Sequence, residues 1–203
     1  MAMPLLEEPP SSSSLTSFVG PEQNPAPPRT RKATSQDARA IHQLIDSFTP
    51  DGTLLPRSYD EISRNIHTFT VVETASGQFI GSASLHVYGS HLAEIRSVAV
   101  HPNAMRKGAG SLLIQALLDQ AKASGIKCVC LFTRVPAFFE RLHLHIADRQ
   151  NFQDKIMKDC IRCSRHKACD ETAMFLGELP ESGLPSKALF PSLPTMNLVQ
   201  LQL

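Results

Sequence analysis

Two stretches of this 203-residue chain combine residue types and spacing that can do chemistry. The first runs from Val98 to Ser111. Val98, Ala99 and Val100 end an apolar strand pattern, Pro102 breaks it, and Arg106, Lys107, Gly108, Ala109, Gly110 and Ser111 open straight into a long helical pattern. The first amides of a helix lack carbonyl partners and sit at the positive end of its dipole. Glycines at 108 and 110 let a phosphate approach with no Cβ in the way, and Arg106 and Lys107 add charge. Such a joint suits a pyrophosphate. It carries neither the Gly-x-x-x-x-Gly-Lys-Ser/Thr loop nor the three-glycine dinucleotide fingerprint.

The second stretch is Leu92–Val100. On a period of two, Glu94, Arg96, Val98 and Val100 share one face. Charge on a core strand is costly unless it is paired or used. One reading is a Glu94–Arg96 ion pair on an exposed face. The other is a site, where a carboxylate takes a proton from an ammonium and an arginine grips a carboxylate through two parallel hydrogen bonds. A bulge would shift the facing by one residue. His86 and His91, near a turn, are lesser candidates for the base.

These residues need an alternating α/β frame to position them. Arg29–Ala33 reads as a first strand, and Thr34 caps a helix with Ala38, Ile41, Leu44, Ile45 and Phe48 on one face. Ser58 caps a second, short helix. Phe69–Glu73, Phe79–Tyr88 and Leu92–Val100 read as successive strands joined by turns. Gly108–Ser124 is the strongest helix, Lys127–Phe132 a fifth strand, and Pro136–Leu142 a short helix. Leu144–Asp148 and Glu171–Glu178 supply two last strands. Hairpins mixed with crossovers predict an α/β (α+β) fold with a mixed, mostly antiparallel central sheet flanked by helices. Residues 29–179 form the domain. Residues 1–28 are a Pro/Ser-rich tail expected to be disordered, and 180–203 are a second Pro-rich tail.

The run Met105-Arg106-Lys107-Gly108-Ala109-Gly110, after a strand ending just before a proline, resembles the acetyl-CoA motif of GNAT N-acetyltransferases, Gln/Arg-x-x-Gly-x-Gly/Ala. Met105 departs from its first position. The resemblance covers roughly residues 29–178. It implies acetyl-CoA as co-substrate, bound by Val98, Ala99, Val100, Arg106, Lys107, Gly108, Ala109, Gly110 and Ser111. The strand before the loop would splay from its neighbour and pair with the pantetheine arm, with the amide near Val98 polarising the thioester carbonyl. The usual tyrosine acid of the family falls at Phe139, which cannot donate a proton. Arg141-Leu142-His143-Leu144 stands where Arg-Leu-Gly-Phe is usual, so His143 is expected in a left-handed conformation.

Three further segments resemble the short bacterial N-acetylglutamate synthases: Leu54–Ser58, Ala93–Ser97, and Lys155–Cys163 continuing to Cys169-Asp170-Glu171. That resemblance implies acetylation of the α-amine of glutamate or a close relative, the first step of arginine biosynthesis. Glu94 would be the general base, with Arg57, Arg96 and Lys155 binding the acceptor's carboxylates. The alternatives are acetylation of another small amine or a protein terminus, or a non-catalytic coenzyme A-binding module.

Composition sets the outer bounds. With 42% hydrophobic and 19% charged residues, the chain suits one globular domain. A net charge of +1 argues against nucleic acid or an anionic membrane as partner. No apolar run approaches the ~18 residues of a membrane span, and the N-terminus has no basic start followed by an apolar segment. A cytoplasmic location follows as an expectation; the resemblance adds a small amino-acid substrate and no required metal, and a homodimer stays open. Cys160, Cys163 and Cys169, with His166 between, could hold tetrahedral zinc. Their spacing favours packed thiols instead. Cys128 and Cys130 are expected on opposite faces of a strand, one of them in the core.

Overall fold

The computed structural model describes residues 26–163 and 165–180. Most of both expected tails, residues 1–25 and 181–203, lies outside the described residues.

The elements follow the chain as β1 (Arg29–Lys32), α1 (Ala38–Asp46), α2 (Tyr59–Arg64), β2 (Phe69–Glu73), β3 (Phe79–Gly89), β4 (Leu92–Val100), α3 (Ala109–Ala123), β5 (Cys128–Thr133), α4 (Pro136–Glu140), β6 (His145–Ile146), α5 (Gln153–Lys158) and β7 (Thr172–Gly177). The seven strands form one sheet in the order β1-β2-β3-β4-β5-β7-β6. Only β4 and β5 run parallel, because α3 carries the chain back between them. The mixed, mostly antiparallel sheet is as the sequence leads one to expect.

Helices cover both faces. On one, Leu113, Ile114, Leu117 and Ala121 of α3 pack on Ala83, Leu85, Ala93 and Ile95 of the sheet, with Phe139 of α4 beside them. On the other, Ile41, Leu44 and Ile45 of α1 and Ile62 of α2 pack on Phe69, Val71 and Ala99. Side-chain alternation along β2 sends Val71 and Val72 to opposite cores. Burying such side chains stabilises the fold by about 1.5–3 kcal/mol each.

Local signals explain most ends. Thr34 caps a 3-10 turn that leads into α1, and the Ser58 hydroxyl accepts the Glu61 amide at 3.1 Å to start α2. Three sequence expectations are corrected. The strand expected at Leu144–Asp148 shrinks to His145–Ile146. The short helix α5 was not expected, because six residues in a polar stretch show too little periodicity. Cys128 and Cys130, two residues apart, share a face, and both are fully buried with Phe152.

Candidate active site

The site is organised by β4, and β4 changes character at Ser97. The β3–β4 register passes from Ser84↔Arg96 to Ser82↔Ala99, so Ser97 and Val98 together face only Ala83. Ser97 takes a left-handed φ of 54° to absorb the extra residue. Glu94 and Arg96 therefore share one face, with Ala93 and Ile95 on the other. Beyond the bulge, Val98 and Val100 turn to the α3 core and Ala99 to the α1–α2 core. The expectation that Glu94, Arg96, Val98 and Val100 line one face is corrected at this bulge.

The other edge of β4 also opens. Pairing with β5 covers only Ala93↔Val129 and Glu94↔Cys130, so the backbone from Ile95 to Val100 has no strand beside it there. The two strands diverge into a V whose mouth meets the start of α3. Left-handed conformations at Arg106 (φ 61°) and Gly108 (φ 85°) shape the loop before that helix. The Leu112 amide bonds to the Gly108 carbonyl at 3.0 Å, so the amides of Ala109, Gly110 and Ser111 precede any helical partner. A Cβ on Gly108 would meet nothing within 4 Å, whereas one on Gly110 would lie 3.3 Å from the Phe138 ring. Arg106 and Lys107 are exposed at the rim. An open-sided glycine, free amides, two cations and an unpaired strand edge fit a pyrophosphate with an extended arm. The sequence-predicted cradle residues Val98 to Val100 and Arg106 to Ser111 thus stand together at one end of the V.

At the other end of β4 lies a cluster of charged side chains. Glu94, 3% exposed, receives Lys155 Nζ at Oε1 (2.7 Å) and the Tyr88 hydroxyl at Oε2 (2.8 Å), with Arg96 at 4.0 Å. Asp159 Oδ2 receives Lys155 at 3.0 Å, Tyr88 at 3.2 Å and Arg96 at 3.4 Å. The exposed ion pair of the plainer reading is thereby replaced by a part-buried four-residue network, centred on buried Glu94, plus Arg96. Lys155 and Asp159 are four residues apart, so α5 and its C-terminal cap deliver both. Burial alone would lower the Lys155 ammonium, but Glu94 and Asp159 outweigh it and hold it above its usual range. Burial likewise opposes the charge on Asp159, and Lys155 and Arg96 overrule it to keep that carboxyl below its usual range. Burial and the two carboxylates push the Tyr88 phenol far up, so it stays a donor.

Arg96 bridges to a second group. Its Nη2 lies 3.2 Å from His86 Nδ1, while Lys158 Nζ lies 2.7 Å from His86 Nε2. Burial, then Arg96 and Lys158, lower His86 to about 4. A neutral imidazole has one acceptor nitrogen, so one of these two cations faces a nitrogen that cannot accept from it. Arg57 stands across from Arg96. It donates from Nε to Ser97 Oγ at 3.1 Å and pairs with Glu61. Arg57, Arg96, Ser84, Asn65, Thr68 and Glu61, with Ile62 and Phe69, line a shallow, half-open cleft.

Of the expected acceptor residues, Arg57 and Arg96 share this cleft, and Lys155 sits behind Arg96 against Glu94 and Asp159. Sequence reasoning missed Tyr88, Asp159 and Lys158. Spacing along β3 puts Tyr88 on the face of His86 and Ser84, but nothing local marks Asp159. His91 belongs elsewhere, paired with buried Asp154 at 2.5 Å. Phe139 is packed in the α3 core and 5% exposed. His143 does adopt a left-handed φ of 65°.

The acetyltransferase (GNAT) family profile matches residues 38–145. An uncharacterized N-acetyltransferase of Chlorobaculum tepidum is 35% identical over 144 residues, covering 71% of this chain and 92% of that protein. The amino-acid acetyltransferase of Pasteurella multocida is 32% identical over 127 residues, 62% of this chain and 29% of that longer protein. Among solved structures, a Mycobacterium tuberculosis protein in complex with CoA and NLQ superposes with a TM-score of 0.64 at 26% identity, covering 74% of this chain and 99% of that one. The chain belongs to the acetyltransferase (GNAT) family. It is an N-acetyltransferase, and its co-substrate is acetyl-CoA, for which the V between β4 and β5 and the amides of α3 provide the fit.

Proposed function

We propose that this enzyme transfers the acetyl group to the α-amine of glutamate or a close relative, as the first step of arginine biosynthesis. The observation that carries the reading is the pairing of Arg57 and Arg96 across one cleft next to a buried carboxylate. Two arginines facing one space suit a carboxylate held by charge-assisted bonds. The donor left without an acceptor at His86, between Arg96 and Lys158, adds a second place for negative charge. Likeness to a protein named amino-acid acetyltransferase supports the same substrate class.

In this reading Arg57 and Arg96 anchor the acceptor's carboxylate, with Lys155 supporting Arg96 from behind. Glu94 is the general base. Its carboxylate is enclosed by Lys155 and Tyr88, so it takes the ammonium proton through a water rather than by direct contact. The freed amine forms a C–N bond to the thioester carbonyl carbon while the C–S bond breaks. The bulge leaves Val98 without its own partner on β3, and its amide is the proposed oxyanion donor. With Phe139 buried, no side-chain acid is assigned to the departing thiolate, and solvent protonates it.

The test is release of free thiol from acetyl-CoA with glutamate, glutamine, ornithine and spermidine offered in turn. A higher kcat/KM for glutamate or glutamine supports the proposal; a preference for spermidine sinks it.

A further inference from the structure

Three cysteines gather in the segment between α5 and β7, outside the groups assigned to acetyl transfer. Asp159, which holds Tyr88, Lys155 and Arg96, directly precedes Cys160. One guanidinium nitrogen, Arg149 Nη2, donates to Cys160 Sγ at 3.9 Å and to Cys169 Sγ at 3.5 Å, so both sulfurs close on a single atom. Arg149 is fixed over the Phe132 ring at 5.7 Å, and Lys155 lies over the same ring at 5.8 Å. The Cys169 thiol points at the Glu171 carboxylate, 3.8 Å away. Cys160 is buried and Cys169 half-buried. Burial pushes the Cys160 thiol up, which suits the second rather than the first thiol to react.

The same segment also reaches the acceptor side. Arg165 Nη1 donates to the Gly52 carbonyl at 2.9 Å, and Arg134, itself tied to Asp170 at 2.8 Å, donates to that carbonyl at 2.5 Å. Gly52 belongs to the loop that leads to Arg57. The cysteine segment therefore follows directly on Asp159 and, through Arg165, also touches the loop that precedes Arg57. Among the described residues, no group of His, Cys, Asp or Glu is arranged to hold a metal ion.

We propose that Cys160 and Cys169 form a redox modification site, in which a peroxide converts the pair to a disulfide that lowers acetyl transfer reversibly. Cys169 attacks one peroxide oxygen; the S–O bond forms, the O–O bond breaks, and the thiol proton, taken by Glu171, leaves with the departing oxygen as water. Cys160 then attacks the Cys169 sulfur. The S–S bond forms, the S–O bond breaks, and a second water carries away the Cys160 proton. The two sulfurs lose two electrons and the peroxide gains them. Sulfurs now gathered around Arg149 Nη2 must close to about 2 Å, which pulls Cys160 and with it Asp159. Displacing Asp159 loosens Lys155 and Arg96.

The experiment treats the full chain with hydrogen peroxide and reads two quantities: the disulfide by mass and peptide mapping, and acetyl transfer before and after dithiothreitol. The expected result is loss of two hydrogens, a Cys160–Cys169 peptide, and a fall in kcat/KM of at least about fivefold that dithiothreitol reverses. Each of C160S and C169S should show no such fall relative to its own reduced rate, while C163S responds like the wild type. A bridge that maps to Cys163, a bridged protein with full activity, or a C160S or C169S variant that loses as much activity to peroxide as the wild type would overturn the proposal. Mapping the bridge does not depend on the acceptor, so it stands or falls apart from the glutamate assignment.

Discussion

Along β4 the two halves of the site lie end to end and are made of different material. From Val98 onward the binding groups are backbone: an unpaired strand edge, then the first amides of α3, with Arg106 and Lys107 only at the rim. Before Ser97 they are side chains gathered from β3, β4, α2 and α5, and almost every one is tied to another. Backbone donors keep their aim as long as the fold stands, which suits their proposed role of holding the phosphate chain of acetyl-CoA. The side-chain donors, proposed to recognise the acceptor, each depend on their neighbours for position. The left-handed residue Ser97 marks the border between the two.

The largest effect that would sharpen this contrast comes from Glu94, the proposed base. Glu94→Gln keeps the shape but removes the proton acceptor, and kcat should fall by ~10²–10⁴ with the KM for acetyl-CoA little changed. A fall below about threefold across pH 6–9 would move the role to solvent or another group.

On the backbone side, Gly110→Val puts branched carbon against the Phe138 ring and beside the cradle amides. The KM for acetyl-CoA should rise about tenfold or more, while the KM for the acceptor holds. A folded variant with normal acetyl-CoA binding, checked by calorimetry, would break the cradle assignment.

These two halves were not equally legible in the sequence. The strand–loop–helix joint is contiguous from Val98 to Ser111, and its chemistry is carried by amides whose direction follows from the helix itself. β2, β4 and α3 were readable for the same reason: Leu113 and Leu117, or Val71 and Val72, obey a local period. The proposed acceptor side joins Arg57, Tyr88, Glu94 and Asp159, which are distant in sequence and converge only through the sheet. Glu94 and Arg96 were visible because charge in a central strand is costly. Tyr88 and Asp159 carried no such sign, and the facing of Val98 could not be assigned before the bulge was located. Met105, expected as a departure from the motif, is simply exposed, consistent with a loop that binds through its backbone.

A smaller effect concerns His86. Its folded value of about 4 lies below the ordinary 6.5 because burial and the flanking cations disfavour its charged form. The unfolded chain therefore takes up a proton that the folded chain refuses as pH falls from about 6.5 to about 4, so stability is lost in that window and is fully present above it. The side chain is partly open to solvent, so the loss is about 1 kcal/mol rather than the full difference. Denaturant titrations at pH 7 and pH 4.5 should show a smaller drop for His86→Gln than for wild type; an unchanged slope would place the origin of the pH effect elsewhere.

The smallest effect is purely structural. His143 is exposed and left-handed, a conformation glycine adopts without strain. His143→Gly should stabilise the fold by up to about 1 kcal/mol in a denaturant titration and leave the kinetics alone. A loss of stability would mean that the imidazole makes a compensating contact.

The central claim is that side chains on this wall read a carboxylate on the acceptor. The direct measurement is kcat/KM of Arg96→Met and Arg57→Met for glutamate and for spermidine, an amine without a carboxylate. Losing a charge-assisted bond of about 1.5–3 kcal/mol should cost roughly 10–100-fold with glutamate, almost all of it in KM, and leave spermidine within about threefold. Equal losses for both amines, or no loss for glutamate, would contradict the carboxylate clamp.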